Sequence, residues 1–299
     1  MPLSSSAEPE RLANPELAAG DELISAVASL KAKSLVGLLH PVPVALTLVA
    51  TVAFALVSRN RATSDSQFLS VVVIIALSQI AIALFNDVCD LELDRRNRPE
   101  RALPRRLIGV GRTIAMVVVC AALSIGLAFE FGILSGVLVA LGTTAGLMYS
   151  AWFKGTSMSW VPFAIAFPLL PIWELLVFHN HTGKLWSIAV IGIPAATAIH
   201  LSDALPDRET DLSAGSGGAA TRLPRRWVTA LCRSLLILSG AFCASLAWMT
   251  AVPPLGYGAP FVGVLAAAFW PGTSGSWRRY LIPIGALVIG AMWISALAF

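Results

Sequence analysis

Two stretches gather acidic residues at places where a largely apolar chain would exclude them. The first reads ALFNDVCDLELDRRNRPERALP and places Asn86, Asp87, Asp90, Glu92 and Asp94 just before Arg95, Arg96, Arg98 and Arg101. On a helix, residues four apart advance only about 40°, so Asn86, Asp90 and Asp94 share one side and Asp87 lies beside Asp90 through its three-residue spacing. Converging hard oxygens of this kind suit Mg²⁺, which binds through a few carboxylates, several waters and substrate phosphates. A second stretch, AIHLSDALPDRETDLSAGSGG, repeats the interval of four with Asp203, Asp207 and Asp211. Taken singly, either cluster reads as a solvated juxtamembrane face, balanced by its arginines or by Arg208, Arg222, Arg225 and Arg226. Two matched clusters meeting across a cavity would instead hold two or three Mg²⁺ ions bridging to a diphosphate.

The elements that must carry these acids are membrane helices. Hydrophobic residues make up 57% of the 299, charged residues only 13%, and the mean hydropathy is +0.77, well outside the range of soluble domains. About 20 apolar residues cross a bilayer as a helix. The sequence predicts about nine such spans, near 35–57, 68–88, 109–129, 132–151, 159–178, 187–203, 227–250, 256–271 and 279–298. Continuously apolar runs such as SVVVIIALSQIAIALF exclude a transmembrane barrel, whose strands alternate. The expected fold is an all-α polytopic bundle forming a single domain over residues 34–299, preceded by a segment, 1–33, that lacks the basic start of a secretory signal. Residues 22–33 have the character of an amphipathic helix lying on the inner leaflet.

Basic residues set the expected orientation. If the N-terminus is cytoplasmic, all of the 21 Lys and Arg except Arg59, Arg61 and Lys184 fall on the cytoplasmic side, together with both acidic clusters. The basic balance reports this asymmetry, so nucleic acid is not an expected partner. Cys89, Cys120, Cys232 and Cys243 have no CxxC spacing and read as small packing groups, with neither a disulfide nor a zinc site.

NDVCDLELD matches the NDxxDxxxD signature of the UbiA superfamily of intramembrane prenyltransferases at each fixed position, and DALPDRETD resembles the family's second aspartate motif. The resemblance covers most of the chain. It implies that Asn86, Asp90, Asp94, Asp203 and Asp207 ligate Mg²⁺ on a prenyl diphosphate, with Asp87 and Asp211 supporting them as part of the catalytic set. The second motif departs from many members in its spacing, and Pro206 removes a backbone N–H just before Asp207. Tyr149 to Lys154 (YSAWFK) resembles the family's Tyr/Lys element near the diphosphate, which makes Tyr149 and Lys154 substrate-binding candidates.

Lys154 would neutralise the leaving diphosphate if it faces the cavity, or anchor the interface if it does not. Arg101 stands where the family often has a basic residue and would grip phosphate through two bonds, or simply neutralise the acids of its loop. His200, three residues before Asp203, would touch the diphosphate, orient Asp203, take a proton from an acceptor, or simply pack. Glu174 reads as an acid snorkelling to the outer interface near His179 and His181. Phe85, Trp152, Phe153, Phe163, Phe167 and Trp173 are candidates to line a prenyl tunnel or to pack the bundle. The Gly-, Ala- and Ser-rich stretch after Asp211 lacks an apolar period and reads as a mobile lid.

The resemblance implies transfer of a prenyl group to a lipophilic acceptor, aromatic in the first instance. The alternative on the same scaffold is a terpene cyclase that needs no acceptor. A secondary transporter would place its charges near the bilayer midplane, whereas these acids fall at helix ends.

Overall fold

In the computed structural model, residues 34, 36–180, 183–213, 217–250, 254–272 and 277–298 are described. The expected inner-leaflet helix over 22–33 and His181 lie outside them. The order of helices is α1 (Pro41–Ser58), α2 (Asp65–Cys89), α3 (Leu91–Asn97), α4 (Val110–Phe129), α5 (Ile133–Met148), α6 (Val161–Val177), α7 (Trp186–Ala204), α8 (Arg208–Ser213), α9 (Ala219–Arg222), α10 (Arg225–Thr250), α11 (Ala259–Phe269) and α12 (Leu281–Leu297). A π-helical turn, Tyr149–Phe153, extends α5.

Among the described residues, seven helices are long and apolar enough to cross a membrane, and two more, Val161–Val177 and Leu255–Phe269, are apolar but shorter. The chain is therefore an integral, multi-pass membrane protein. The span expected over 256–271 is the most shortened: a 3₁₀ turn at Pro254–Gly258 precedes α11, which has only 11 residues. Pro260 explains the late start, because proline is tolerated in the first helical turn and not inside.

The long helices form a closed ring. Each packs on the next in the order α1, α2, α4, α5, α6, α7, α10, α11 and α12, and α12 returns to α1. Local signals set the helix ends. Ser64 and Gln67 form a reciprocal capping box at the start of α2, with Gln67 N–H donating to Ser64 Oγ at 3.1 Å and Ser64 N–H donating to Gln67 Oε1 at 3.3 Å.

Lipid gives helices no hydrophobic reason to associate, so close approach and buried hydrogen bonds hold the ring. A Cβ on Gly240 would come within 2.7 Å of the Ala259 carbonyl oxygen, which shows how closely α10 approaches the start of α11. Ser124 donates to the Ile74 carbonyl at 2.8 Å, and the Trp293 indole donates to Ser187 Oγ at 2.8 Å. Val118, Leu123, Ile133 and Phe261 point outward, as a lipid-facing surface requires.

Candidate active site

The first acidic cluster sits where α2 gives way to α3. Asp90 ends one helix and precedes the next, yet the ladder persists: Asp90 N–H donates to Asn86 O at 2.9 Å and Asp94 N–H to Asp90 O at 2.8 Å. Near-helical geometry therefore runs through the motif and divides it into two pairs. Asn86 and Asp90 form one, with Asn86 Nδ2 donating to Asp90 Oδ2 at 3.0 Å. Asp87 and Asp94 form the other, both accepting from Arg101 Nη1, at 2.7 and 3.1 Å.

The division follows from the helix period. Asp87 and Asp94 are two turns apart, which leaves them only about 20° out of register, whereas Asp94 stands about 80° from Asn86. Asp87 and Asp94 are buried, so their charges need partners. Arg101 supplies one. His40 supplies another to Asp87, with Nε2 2.7 Å from Oδ1. Sequence reasoning missed His40; its signal was a histidine standing immediately before Pro41 at the same end of the bundle. Arg101, expected on phosphate, has its guanidinium on these two carboxylates.

Burial raises the Asp94 carboxyl above the usual carboxylate range; Arg101 partly opposes this, and Asp90 and Asp87 push it further up.

Lys154 reaches the other pair. A π turn closes five residues back, as the Lys154 N–H to Tyr149 O bond of 2.9 Å shows, and it adds a residue to the helical register. The turn aims Lys154 across the bundle: Nζ donates to Asn86 Oδ1 at 3.1 Å and contacts Asp90 Oδ2. Half-buried Tyr149 lies within electrostatic range of Asp90, Asp203 and Asp211, between the two motifs.

The second motif spans the end of α7, a break at Pro206 and the start of α8. Asp203 and Asp207 are exposed, while Asp211 is partly covered and its N–H donates to Asp207 O at 2.9 Å. Burial raises the Asp211 carboxyl, as does Asp207, whereas Lys154 and Arg98 lower it and Asp90 raises it further. Asp90 of the first motif thus lies within electrostatic range of Asp211. The fold brings the acids of the two motifs to one end of the ring.

His200 packs beneath the second motif. Its Nε2 lies 2.9 Å from Ser159 Oγ, and its ring packs 4.4 Å from Phe163 and 5.7 Å, edge-on, from Tyr149. Ser159, another residue the sequence did not single out, also accepts from Ala219 N–H at 2.9 Å. This clasp ties the chain after the second motif to the loop that carries Lys154. Gly218 completes it, because a Cβ there would stand 2.8 Å from both Lys154 O and Ser159 Oγ. The stretch read as a mobile lid takes in the last residues of α8 and one further short helix, α9; its residues 214–216 lie outside the described ones.

Of the aromatic candidates, Phe163 and Phe167 stack at 5.6 Å beside Tyr149. Trp152 faces outward, and Trp173 is buried with its indole donating to Ser135 Oγ at 2.6 Å. Glu174 does not snorkel: it is fully buried, and neither carboxyl oxygen has a partner among the described residues.

The donor chemistry fits Mg²⁺. Lys154 already places a cation on the side-chain oxygens of Asn86 and Asp90, as hard, charge-assisted acceptors should allow. Among the described residues, no three His, Cys, Asp or Glu side chains gather tightly enough to hold a metal alone. Further oxygens would have to come from water and substrate, which is the usual manner of Mg²⁺.

Comparison with known proteins gives the family and the fold. The chain belongs to the UbiA prenyltransferase family, whose profile matches residues 46–297. No curated protein matches it significantly in sequence. Its fold is similar to that of a UbiA homolog from Archaeoglobus fulgidus, with TM-score 0.70 and 18% identity over 88% of this chain and 97% of the other. The form of that homolog bound to GPP and Mg²⁺ superimposes with TM-score 0.68 and 20% identity, covering 87% and 96%. A UbiA homolog from Aeropyrum pernix K1 gives 0.65 and 16%, covering 83% and 96%.

Proposed function

We propose that this protein is a Mg²⁺-dependent intramembrane prenyltransferase that ionises a prenyl diphosphate and passes the prenyl group to a lipophilic, aromatic or similar, acceptor. The observation that carries the reading is the approach of the two acidic motifs through the Lys154 loop: Lys154 Nζ reaches Asn86 and Asp90, while Gly218 and Ala219, beyond the second motif, seat against Lys154 O and Ser159 Oγ. Structures of an Archaeoglobus fulgidus homolog with GPP or DMAPP and Mg²⁺ support it.

In this reading Asn86, Asp90, Asp94, Asp203 and Asp207 form the metal-holding set. Bound Mg²⁺ would neutralise the diphosphate and draw electrons from the bond to the allylic carbon. Arg101, with His40, holds Asp87 and Asp94 from behind, and it leaves Asp94 Oδ1 for a cation. Lys154 shifts from Asn86 and Asp90 to the diphosphate oxygens as negative charge grows there. Tyr149, Phe163 and Phe167 present ring faces and edges to the carbocation and keep water from it. His200, committed to Ser159 and the Phe163 ring, shapes this wall. The acidic end faces the cytoplasm, as the distribution of Lys and Arg supports.

The test is diphosphate release by the full chain in lipid nanodiscs, over prenyl diphosphates of increasing length, with and without Mg²⁺ and a pool of aromatic acceptors. Release that requires both Mg²⁺ and an acceptor, and is abolished by Asp90→Ala, is the expected result. Cyclic hydrocarbon formed without an acceptor would make the protein a terpene cyclase. Release indifferent to Asp90→Ala would overturn the site.

A further inference from the structure

A second charged feature lies outside the acidic site. From Leu212 to Phe299 the chain has no Asp or Glu but six Arg: Arg222, Arg225, Arg226, Arg233, Arg278 and Arg279. Three of them, Arg225, Arg226 and Arg233, line a groove of about 550 Å³ between the first turns of α10 and the end of α11, with Thr229 and Gly272.

The groove is held in shape by its own lining. Arg225 donates to the Gly272 carbonyl at 2.9 Å and Arg233 to the Trp270 carbonyl at 2.8 Å. Gly272 takes a left-handed φ of 66° and presses so closely on α10 that a Cβ would stand 3.1 Å from the Thr229 side chain. Each staple uses one of the five N–H donors of a guanidinium. Arg233 Nε is buried with no partner among the described residues. Among the described residues, Arg226 has the neighbouring Trp227 ring as its contact, with its guanidinium carbon 5.8 Å from the centroid. No described carboxylate lies within ion-pair distance of any of the three. Three like charges are thus drawn together with only neutral carbonyls and a ring for company.

The groove also sits at a membrane border. α10 is long and apolar enough to span, its first turns carry the three arginines, and exposed Trp227 marks the headgroup level. Arg208 donates to the Leu223 carbonyl, two residues before α10, which places this border at the same end as the second acidic motif.

We propose that the groove seats the phosphate of an anionic membrane lipid. The guanidiniums complement the phosphate, and the acyl chains continue into the bilayer beside α10, the arrangement expected of basic pockets between membrane helices.

The experiment is lipid binding to the delipidated full chain, read by native mass spectrometry and by the thermal midpoint, with phosphatidylglycerol, phosphatidylcholine and inorganic phosphate as probes. Phosphatidylglycerol should bind and stabilise in preference to phosphatidylcholine. Each of Arg226→Gln and Arg233→Gln should weaken that binding about fivefold, the factor matching roughly 1 kcal/mol per arginine at an anionic surface. Arg226→Gln keeps both carbonyl staples, so its loss of binding cannot come from a collapsed groove. Arg105→Gln, an exposed charge elsewhere, should leave binding unchanged. The proposal is overturned if Arg105→Gln weakens binding as much as Arg226→Gln, if phosphatidylcholine binds equally, or if inorganic phosphate protects as well as the lipid.

Discussion

Lys154 Nζ lies 3.1 Å from Asn86 Oδ1, joining the end of α5 to the end of α2 across 68 positions of sequence. The same ammonium contacts Asp90, so a single cation of the chain occupies oxygens that suit a metal. In the proposed reading, lysine and metal would compete for Asn86 and Asp90 until a diphosphate takes the lysine.

Lys154→Met separates these roles. Turnover should fall by about 10²–10³, the scale of losing one preorganised donor to a developing anion. The Mg²⁺ concentration for half-maximal diphosphate release should fall as well, because the competitor is gone. A Mg²⁺ titration of release checks both; unchanged turnover would remove Lys154 from the reaction.

Arg101 predicts a stability effect. Arg101→Gln strands Asp94 and leaves Asp87 with His40 alone, both carboxylates buried, at a cost of about 3–5 kcal/mol, typical of breaking a buried ion pair from one side. Thermal melting in detergent should show a lower midpoint, and adding Asp87→Asn should recover part of it. A melt unaffected by Arg101→Gln would contradict the pairing.

Protonation gives a third prediction. Asp94 and Asp211 have carboxyls held above the usual range, first by burial. In the metal-free protein, each favours folding while protonated, and that contribution is lost as pH rises through its raised folded value. In the proposed reading Mg²⁺ would bind ionised Asp94, with ionised Asp211 adding negative charge beside the site, and would so offset the loss. The Mg²⁺-induced rise in melting midpoint should therefore be largest near neutral pH and should shrink on acidification while still above about pH 4, where ordinary carboxylates titrate. Differential scanning fluorimetry with and without Mg²⁺ across this interval measures it, and a shift constant with pH would refute it.

The clasp at Gly218 yields a fourth. Gly218→Ala places a methyl 2.8 Å from Lys154 O and Ser159 Oγ and must displace either α9 or the Lys154 loop. We expect about tenfold lower kcat/KM, since small misplacements around a reacting centre are costly. Ser159→Ala removes the bond to Ala219 without adding bulk and should cost less. Equal activity of wild type and Gly218→Ala would show the clasp to be slack.

Much of this arrangement was legible in the residues themselves. Long apolar runs located α2, α4 and α10, and the four-residue interval picked out both motifs. The pairing inside the first motif was legible too, had the seven-residue interval from Asp87 to Asp94 been weighed beside the four-residue one. What the spacing does not carry is contact between elements distant in sequence. His40 on Asp87 and Ser159 on His200 depend on how the ring closes, and no periodicity in either segment announces it. Glu174 shows the converse: a lone acid near a helix end reads as interfacial, but the two prolines of α6, Pro168 and Pro171, lie close before it in a helix packed inward on α5 and α7.

The π turn at Tyr149–Phe153 sets the phase between the helix that ends there and the ammonium that follows. A residue contributes about 100° of rotation, so a chain shortened by one position here would retain every acid, the lysine and the tyrosine while turning Lys154 away from Asp90. Inventory and alignment of motifs would look intact, yet the lock between the two halves of the bundle would be open. In this protein the identity of the site is written partly as a count of residues, and a single-codon deletion can erase it without touching a functional side chain.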